Sequence, residues 1–145
     1  MSLYEKYVLP KFLNCACGSR PVERQRKKVV PLAEGKVLEI GIGSGLNIPF
    51  YDKSKIVEVW GLDPSDALCE MAKKVALKES LEINFISSGA EEIPLPDNHF
   101  DTVLITYTMC TIPEVLRAND EIRRVLKSEG KMIFCEHGVA PDENI

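Results

Sequence analysis

The chain is poor in the features that would commit it to a membrane, a metal or a disulfide framework. No run in its 145 residues approaches the ~20 consecutive apolar positions of a spanning helix. The only histidines are His99 and His137, too few nitrogens for a spaced zinc site. The cysteines Cys15, Cys17, Cys69, Cys110 and Cys135 are odd in number and include no C-x-x-C, which fits neither paired disulfides nor a metal cluster. Cys15-Ala16-Cys17 is the one close pair, and small residues at a turn between two helices account for it. Reduced thiols in a cytoplasmic protein are expected. Positive charge is also short: the net charge is −4 and the pI near 5.3, which argues against a nucleic-acid backbone as partner. The local exception is the cluster Arg20, Arg24, Arg26, Lys27 and Lys28, expected to be one solvated helix face. Met1 to Leu13 has no signal-peptide core. It reads as a weakly amphipathic helix, which leaves peripheral membrane contact open.

What is present is ordinary for one globular domain, 45% hydrophobic and 28% charged, large enough for a single core. Helical segments are expected near 3–13 and 20–30, with Pro21 at the start of the second and Pro31 at its stop. Strands follow at 36–41, 56–62, 82–87, 101–107 and 131–136. Between them lie a short helix near 46–51, a firm one at 66–78 and another at 114–127. Leu68, Met71, Ala72, Val75 and Ala76 form the apolar stripe of the second of these, and Leu116, Ile122, Val125 and Leu126 that of the third. Alternating strands and helices imply a Rossmann-like α/β fold, a parallel sheet with right-handed crossovers and helices on both faces. Residues 1–31 would form a helical cap and 32–145 the core.

The most informative stretch is Val37-Leu38-Glu39-Ile40-Gly41-Ile42-Gly43-Ser44-Gly45. It reads as a buried parallel strand running into a glycine turn. A nicotinamide fingerprint is G-x-G-x-x-G; here the third glycine comes one residue early and Leu46 occupies its place. An adenine-nucleotide oxidoreductase is therefore disfavoured. A second strand, Val57 to Leu62, closes on Asp63, and an ionised acid at that point can accept both ribose hydroxyls of an adenosine cofactor. Ser65 can cap the following helix while Asp63 keeps that role.

These residues, with Ser88-Gly89-Ala90-Glu91-Glu92-Ile93-Pro94-Leu95-Pro96-Asp97-Asn98-His99-Phe100-Asp101, make the chain similar to class I S-adenosylmethionine (SAM)-dependent methyltransferases of the small-molecule type. Gly45-Leu46-Asn47-Ile48-Pro49-Phe50-Tyr51, Met109-Cys110-Thr111 and Glu136-His137 resemble the branch holding alkyl-thiol S-methyltransferases and phospholipid N-methyltransferase-like relatives. The resemblance implies strand order 3-2-1-4-5, SAM as cofactor, and a crevice where Gly41–Gly45 faces Thr106–Thr111. It implies that Glu39 lies near the methionine amino group, that Gly41, Gly43 and Gly45 let the backbone approach the cofactor, and that Asp63 takes the ribose. Pro64, Gly89, Ala90, Glu91 and Thr106 complete the cofactor set, with Ala90 lining the adenine through its N–H. Many relatives carry Asp where this chain has Gly89, so Glu91 or Ser88 would have to read the adenine amino group. The family sheet goes on to sixth and seventh strands that this sequence lacks. The fifth strand is then expected to be an open edge with a tendency to self-associate.

Methyl transfer needs placement more than covalent help. His137, after strand five, is the candidate general base, with Glu136 to orient it. No N/D-P-P-Y/F motif follows strand four, which disfavours nucleobase and glutamine N-methylation. The leading reading is a methyltransferase acting on a small, partly apolar acceptor, a thiol among the candidates. The alternative is a catalytically idle SAM-binding module or enzyme fragment. No metal is expected.

Overall fold

The computed structural model describes residues 20–138. The expected helix at 3–13 and the pair Cys15 and Cys17 lie outside that range. The described residues open with helix α1, Arg20–Val29, and a 3-10 turn at Val30–Leu32 that leads into strand β1, Gly35–Ile40. Strand β2 is Ile56–Leu62, helix α2 Asp66–Glu79, and strand β3 Asn84–Ile86. Strand β4 is Phe100–Thr106, helix α3 Val115–Val125, and strand β5 Leu126–Cys135.

All pairings are parallel, and the order is β3-β2-β1-β4-β5. This is the order that the family resemblance implies. The central strand explains why: Val37, Leu38 and Ile40 are buried on β1, as a strand covered on both faces requires. On one face Leu38, Ile40, Val103 and Ile105 pack with Ala118, Ile122 and Val125 of α3. On the other, Val37, Val59 and Leu104 pack with Val30, Ala33 and Tyr51, and a smaller group joins Ile42 and Ile48 to Ala72 and Ala76 of α2. The Ser65 hydroxyl accepts from the Leu68 N–H at 3.4 Å, the expected N-cap. Ser80, left-handed at φ 52°, closes the helix.

The elements depart from expectation in four places. The short helix near 46–51 is only a 3-10 turn, Ile48–Phe50, since Pro49 supplies no N–H to extend it. Strand β3 spans only Asn84–Ile86. Strand β5 starts at Leu126, directly after α3, and its register jumps between Phe100↔Leu126 and Thr102↔Lys131. The extra residues bulge around Gly130, where a Cβ would lie 2.9 Å from the Lys127 carbonyl and 3.1 Å from that of Phe100; only glycine fits without backbone movement. Finally, Leu116 is 79% exposed, so the buried stripe of α3 is Ala118, Ile122 and Val125. Strand β5 is an edge of the sheet among the described residues, and Phe134 on it is exposed.

The ends of β1 and β4 lie side by side, with Ile40 opposite Ile105. The chain leaves β1 toward β2 and β4 toward β5, in opposite directions along the sheet. Such a switch point opens a crevice beyond the strand C-termini.

Candidate active site

The glycine turn is tied down from the neighbouring strand. The N–H groups of Gly41 and Ile42 both donate to the Leu62 carbonyl, at 2.7 and 3.2 Å. The Gly43 N–H donates to Asp63 Oδ2 at 3.0 Å, and the Ser65 N–H to Asp63 Oδ1 at 2.9 Å. Each carboxylate oxygen therefore keeps lone-pair capacity for a further donor. Burial raises the Asp63 pKa above its ordinary value, against the lowering effect of those two bonds. Such an acid gains from any added donor that stabilises its charge.

Three glycines that look equivalent in the sequence do different jobs. A Cβ on Gly41 would run into the Thr108 side chain, and one on Gly45 would lie 2.7 Å from Ile48 Cδ1 and 3.1 Å from Ala72 Cα. Those two glycines make room for protein. Among the described residues, a Cβ on Gly43 would meet nothing nearer than the Gly41 carbonyl at 3.9 Å. Open space lies over Gly43, beside the acid that holds its N–H. Packing thus accounts for glycine at 41 and 45, while at 43 it supplies no reason among the described residues.

Beneath the turn lies a buried polar network. Glu39 is 1% exposed; its Oε1 accepts from Asn47 Nδ2 at 2.8 Å and its Oε2 from the Tyr51 hydroxyl at 2.7 Å. Burial pushes its pKa up to about 7, while the two hydrogen bonds and the Arg26 charge act to lower it. The same environment, together with the Glu39 carboxylate, pushes the Tyr51 hydroxyl well above its ordinary range. Arg26 Nη1 donates to Asn47 Oδ1 and to Thr106 Oγ1, both at 2.7 Å, and Asn47 Nδ2 also reaches Thr106 Oγ1 at 2.9 Å. Asn47 thus relays between cation and acid without a direct ion pair.

Sequence reasoning missed Arg26, Asn47 and Tyr51 as members of this network. A lone acid in a buried strand demands buried donors. Asn47 and Tyr51, shortly after the turn, were the polar side chains in reach. Arg26, expected on a solvated face, is 6% exposed, and nothing local in the sequence announces that.

Beyond the C-terminal end of β4, Tyr107 has φ 54°, a left-handed conformation rare outside glycine. Its hydroxyl lies 3.4 Å from Cys135 Sγ, and the Arg26 guanidinium carbon sits 5.2 Å from its ring centroid. Its pKa is pushed up to about 12, first by burial and then by Cys135. His137 is exposed, its ring centroid 4.8 Å from that of Tyr107. Glu136 does not play its expected part in orienting His137. Its Oε1 instead accepts from the N–H groups of Thr108 and Met109, at 2.8 and 3.1 Å, and so pins the loop after β4 to the end of β5.

Glu39, Gly41, Gly43, Gly45, Asp63 and Thr106 therefore gather at one end of the sheet. Pro64 is exposed beside Asp63. Ala90 is buried in the cluster that holds Leu62 and Ile40. The Glu91 carboxylate lies across Gly89, where a Cβ would come within 2.6 Å of Oε2. The Ser88 hydroxyl turns back to the Glu92 and Gly89 carbonyls of its own loop. Among the described residues no group of three or more His, Cys, Asp or Glu could hold a metal, and no helix is long and apolar enough to cross a membrane.

Residues 38–134 match the family model of a methyltransferase domain. A phosphatidylethanolamine N-methyltransferase of Cereibacter sphaeroides is 33% identical over 105 residues, 71% of this chain and 51% of that protein. A ubiquinone/menaquinone biosynthesis C-methyltransferase of Rickettsia bellii is 30% identical over 114 residues, covering 74% of this chain and 46% of that protein. The crystal structure of YcgJ from Bacillus subtilis superposes with a TM-score of 0.70 at 29% identity, over 83% of this chain and 52% of that one. The chain thus spans about half the length of the curated relatives it matches.

Proposed function

Because this chain belongs to the class I SAM-dependent methyltransferases, we propose that its crevice binds SAM and directs methyl transfer to a small, partly apolar acceptor. One observation carries the reading: the space over Gly43 adjoins an acid, Asp63, that is desolvated and has accepting capacity left over. A vicinal diol supplies the donors such an acid calls for, and a backbone without a Cβ lets an extended ligand lie close.

In this reading Asp63 holds the ribose and Gly43 gives the passage. Gly41 and Gly45 fix the turn by packing. Glu39 and Thr106, through Asn47, set the rim on which the amino-acid end rests, and Pro64, Gly89, Ala90 and Glu91 bound the base. Glu91 takes the place of the family's Asp, because Ser88 is turned into its own loop. When bound, SAM supplies an electrophilic methyl group on a sulfonium. The chain's own part is to orient, exclude water and receive a proton. His137 is the imidazole at this end of the sheet and receives the proton of a thiol or hydroxyl; His99 precedes β4 at the other end.

The names of the relatives point to nitrogen and carbon acceptors, so the family leaves the acceptor atom open. The exposed thiol-bearing loop at Cys110 and the ring of Tyr107 suit a partly apolar acceptor, a thiol among them. Calorimetry with SAM, its demethylated product and NAD tests the cofactor. Tight binding of NAD in preference to SAM would overturn it. A panel of thiols and lipid amines with radiolabelled methyl donor then tests the acceptor class. Among the described residues β5 is an edge of the sheet with Phe134 exposed, which favours self-association that light scattering reads directly.

A further inference from the structure

An open cleft of about 550 Å³ lies between α1, the segment after the glycine turn, and α2. Its volume falls within the range of small-molecule sites, roughly 300–1,000 Å³. Leu46, Pro49, Phe50, Met71 and Val75 give it apolar walls. The groups around it are mostly cationic. Lys74 lines it, Lys27 Nζ sits 5.6 Å from the ring centroid of Phe50 on its wall, and Arg26 borders it with its guanidinium turned to Asn47 and Thr106. Among the described residues the acid of the lining is Glu23, whose carboxylate is paired with Lys27 at 2.6 Å. Lys74 forms no ion pair among the described residues. In a chain of net charge −4, this is a local surplus of positive charge around an apolar floor.

We propose that this cleft is a second binding site, for a small amphiphilic anion: an apolar body seated against Phe50, Met71 and Val75, with its charged end beside Lys74. Apolar surface left in a concave site is stabilised by covering it. The charge at the rim selects which amphiphile covers it. The site is distinct from the crevice over Gly43, although Ser44 and Gly45 form a wall of the cleft and so connect its occupant to the back of the cofactor turn. The inference does not depend on methyl transfer, since the cleft, its walls and its charges stand whatever the crevice binds.

The test uses decanoate below its micellar concentration, with decanol and decyltrimethylammonium as matched probes, read by calorimetry on the intact chain. Decanoate is expected to bind, decanol more weakly, and the cation not at all. Lys74→Glu should weaken decanoate by about fivefold, the size of a partly exposed charge contact. Met71→Trp, which fills the cleft, should remove binding. Both variants should keep their binding of the demethylated cofactor product and their thermal stability. Equal binding of anion and cation, or decanoate affinity unchanged in either folded variant, would overturn the proposal. So would binding to phosphatidylglycerol vesicles without binding of monomeric decanoate, which would make the face a membrane contact and not a small-molecule site. If Met71→Trp does not fold, Lys74→Glu and the salt dependence of decanoate binding decide the question.

Discussion

The two ends of the same parallel sheet treat their acids in opposite ways. At the crevice end, Glu39 and Asp63 are buried, have no lysine or arginine among the described residues hydrogen-bonded to their carboxylates, and hold pKa values raised chiefly by burial. At the other end, Asp101 accepts from Lys127 at 2.7 Å and from the Lys36 N–H at 2.8 Å, and Glu34 pairs with Lys131 at 2.6 Å. There both carboxyls lie below their ordinary values, first through the lysine hydrogen bond. The glycines divide the same way. A Cβ at Gly35 would come 2.5 Å from Asp101, while one at Gly43 has open space. One end of the sheet is closed and paired. The other holds charge out of water at a cost and leaves a gap beside it, the arrangement of a site shaped for a ligand.

The largest effects should come from the glycines, and they should differ in kind. Gly45→Val forces a side chain into Ile48 and Ala72 at positive φ, and is expected to cost several kcal/mol and abolish cooperative folding. Gly43→Val meets open space, so its cost is confined to backbone strain, about 1–2 kcal/mol, and the chain should still unfold cooperatively. Its SAM affinity should fall at least a hundredfold. Thermal melts and calorimetry on both variants check this. A folded Gly45→Val, or normal SAM binding by Gly43→Val, would erase the distinction between the two glycines.

Next in size is the pH dependence carried by Glu39. Its folded pKa is about 7, raised from an ordinary value of 4.5, so the folded state binds the proton more tightly than the unfolded state. The stability this contributes is full below the ordinary value and is lost as pH rises through 7. It amounts to about 3 kcal/mol at most. Glu39→Gln should flatten stability between about pH 5 and 8, since Tyr51 can turn its hydroxyl to accept from the new amide. A wild-type profile as flat over that window as that of Glu39→Gln would show that Glu39 is ionised and well solvated, contrary to its burial.

Much of this comparison was legible in the sequence. The alternation of elements gave the parallel sheet, the family resemblance gave its strand order, and the acid ending β2 gave Asp63 a place beside the turn. What stayed hidden depended on distant packing. Gly41 and Gly45 cannot be told from Gly43 without Thr108, Ile48 and Ala72 around them. Arg26 belongs to a basic run, yet its helix lies across the sheet end and carries its side chain to Thr106, 80 residues on. Glu136 reads as a partner for the adjacent His137, but the backbone N–H groups of the loop after β4 needed an acceptor and took it.

Asp63→Ala comes next. It removes charge-assisted hydrogen bonds worth roughly 1.5–3 kcal/mol, and SAM affinity should drop about ten- to a hundredfold. Fold stability should change less, because the Gly43 and Ser65 N–H groups can turn to water. Unchanged affinity would remove Asp63 from the ribose and leave it as a clamp for the turn.

The smallest effect belongs to the paired end. Lys127→Met takes away one partner of Asp101, which is half-exposed and still bonded to the Lys36 N–H. Exposed pairs contribute about 1 kcal/mol or less, so the melting temperature should fall only slightly and SAM affinity not at all. The pH direction is the sharper readout. Asp101 has a lowered pKa, so its contribution is present above the ordinary carboxylate value of 3.8 and is lost as pH falls through the folded value. Wild type and Lys127→Met should therefore converge toward acid, whereas wild type and Glu39→Gln change places on the approach to neutrality. Measured on one set of proteins, the two profiles assign opposite signs to acids on the same sheet. If Lys127→Met instead weakened cofactor binding, the paired end would be coupled to the crevice through β4, and the separation between a structural and a functional end would not hold.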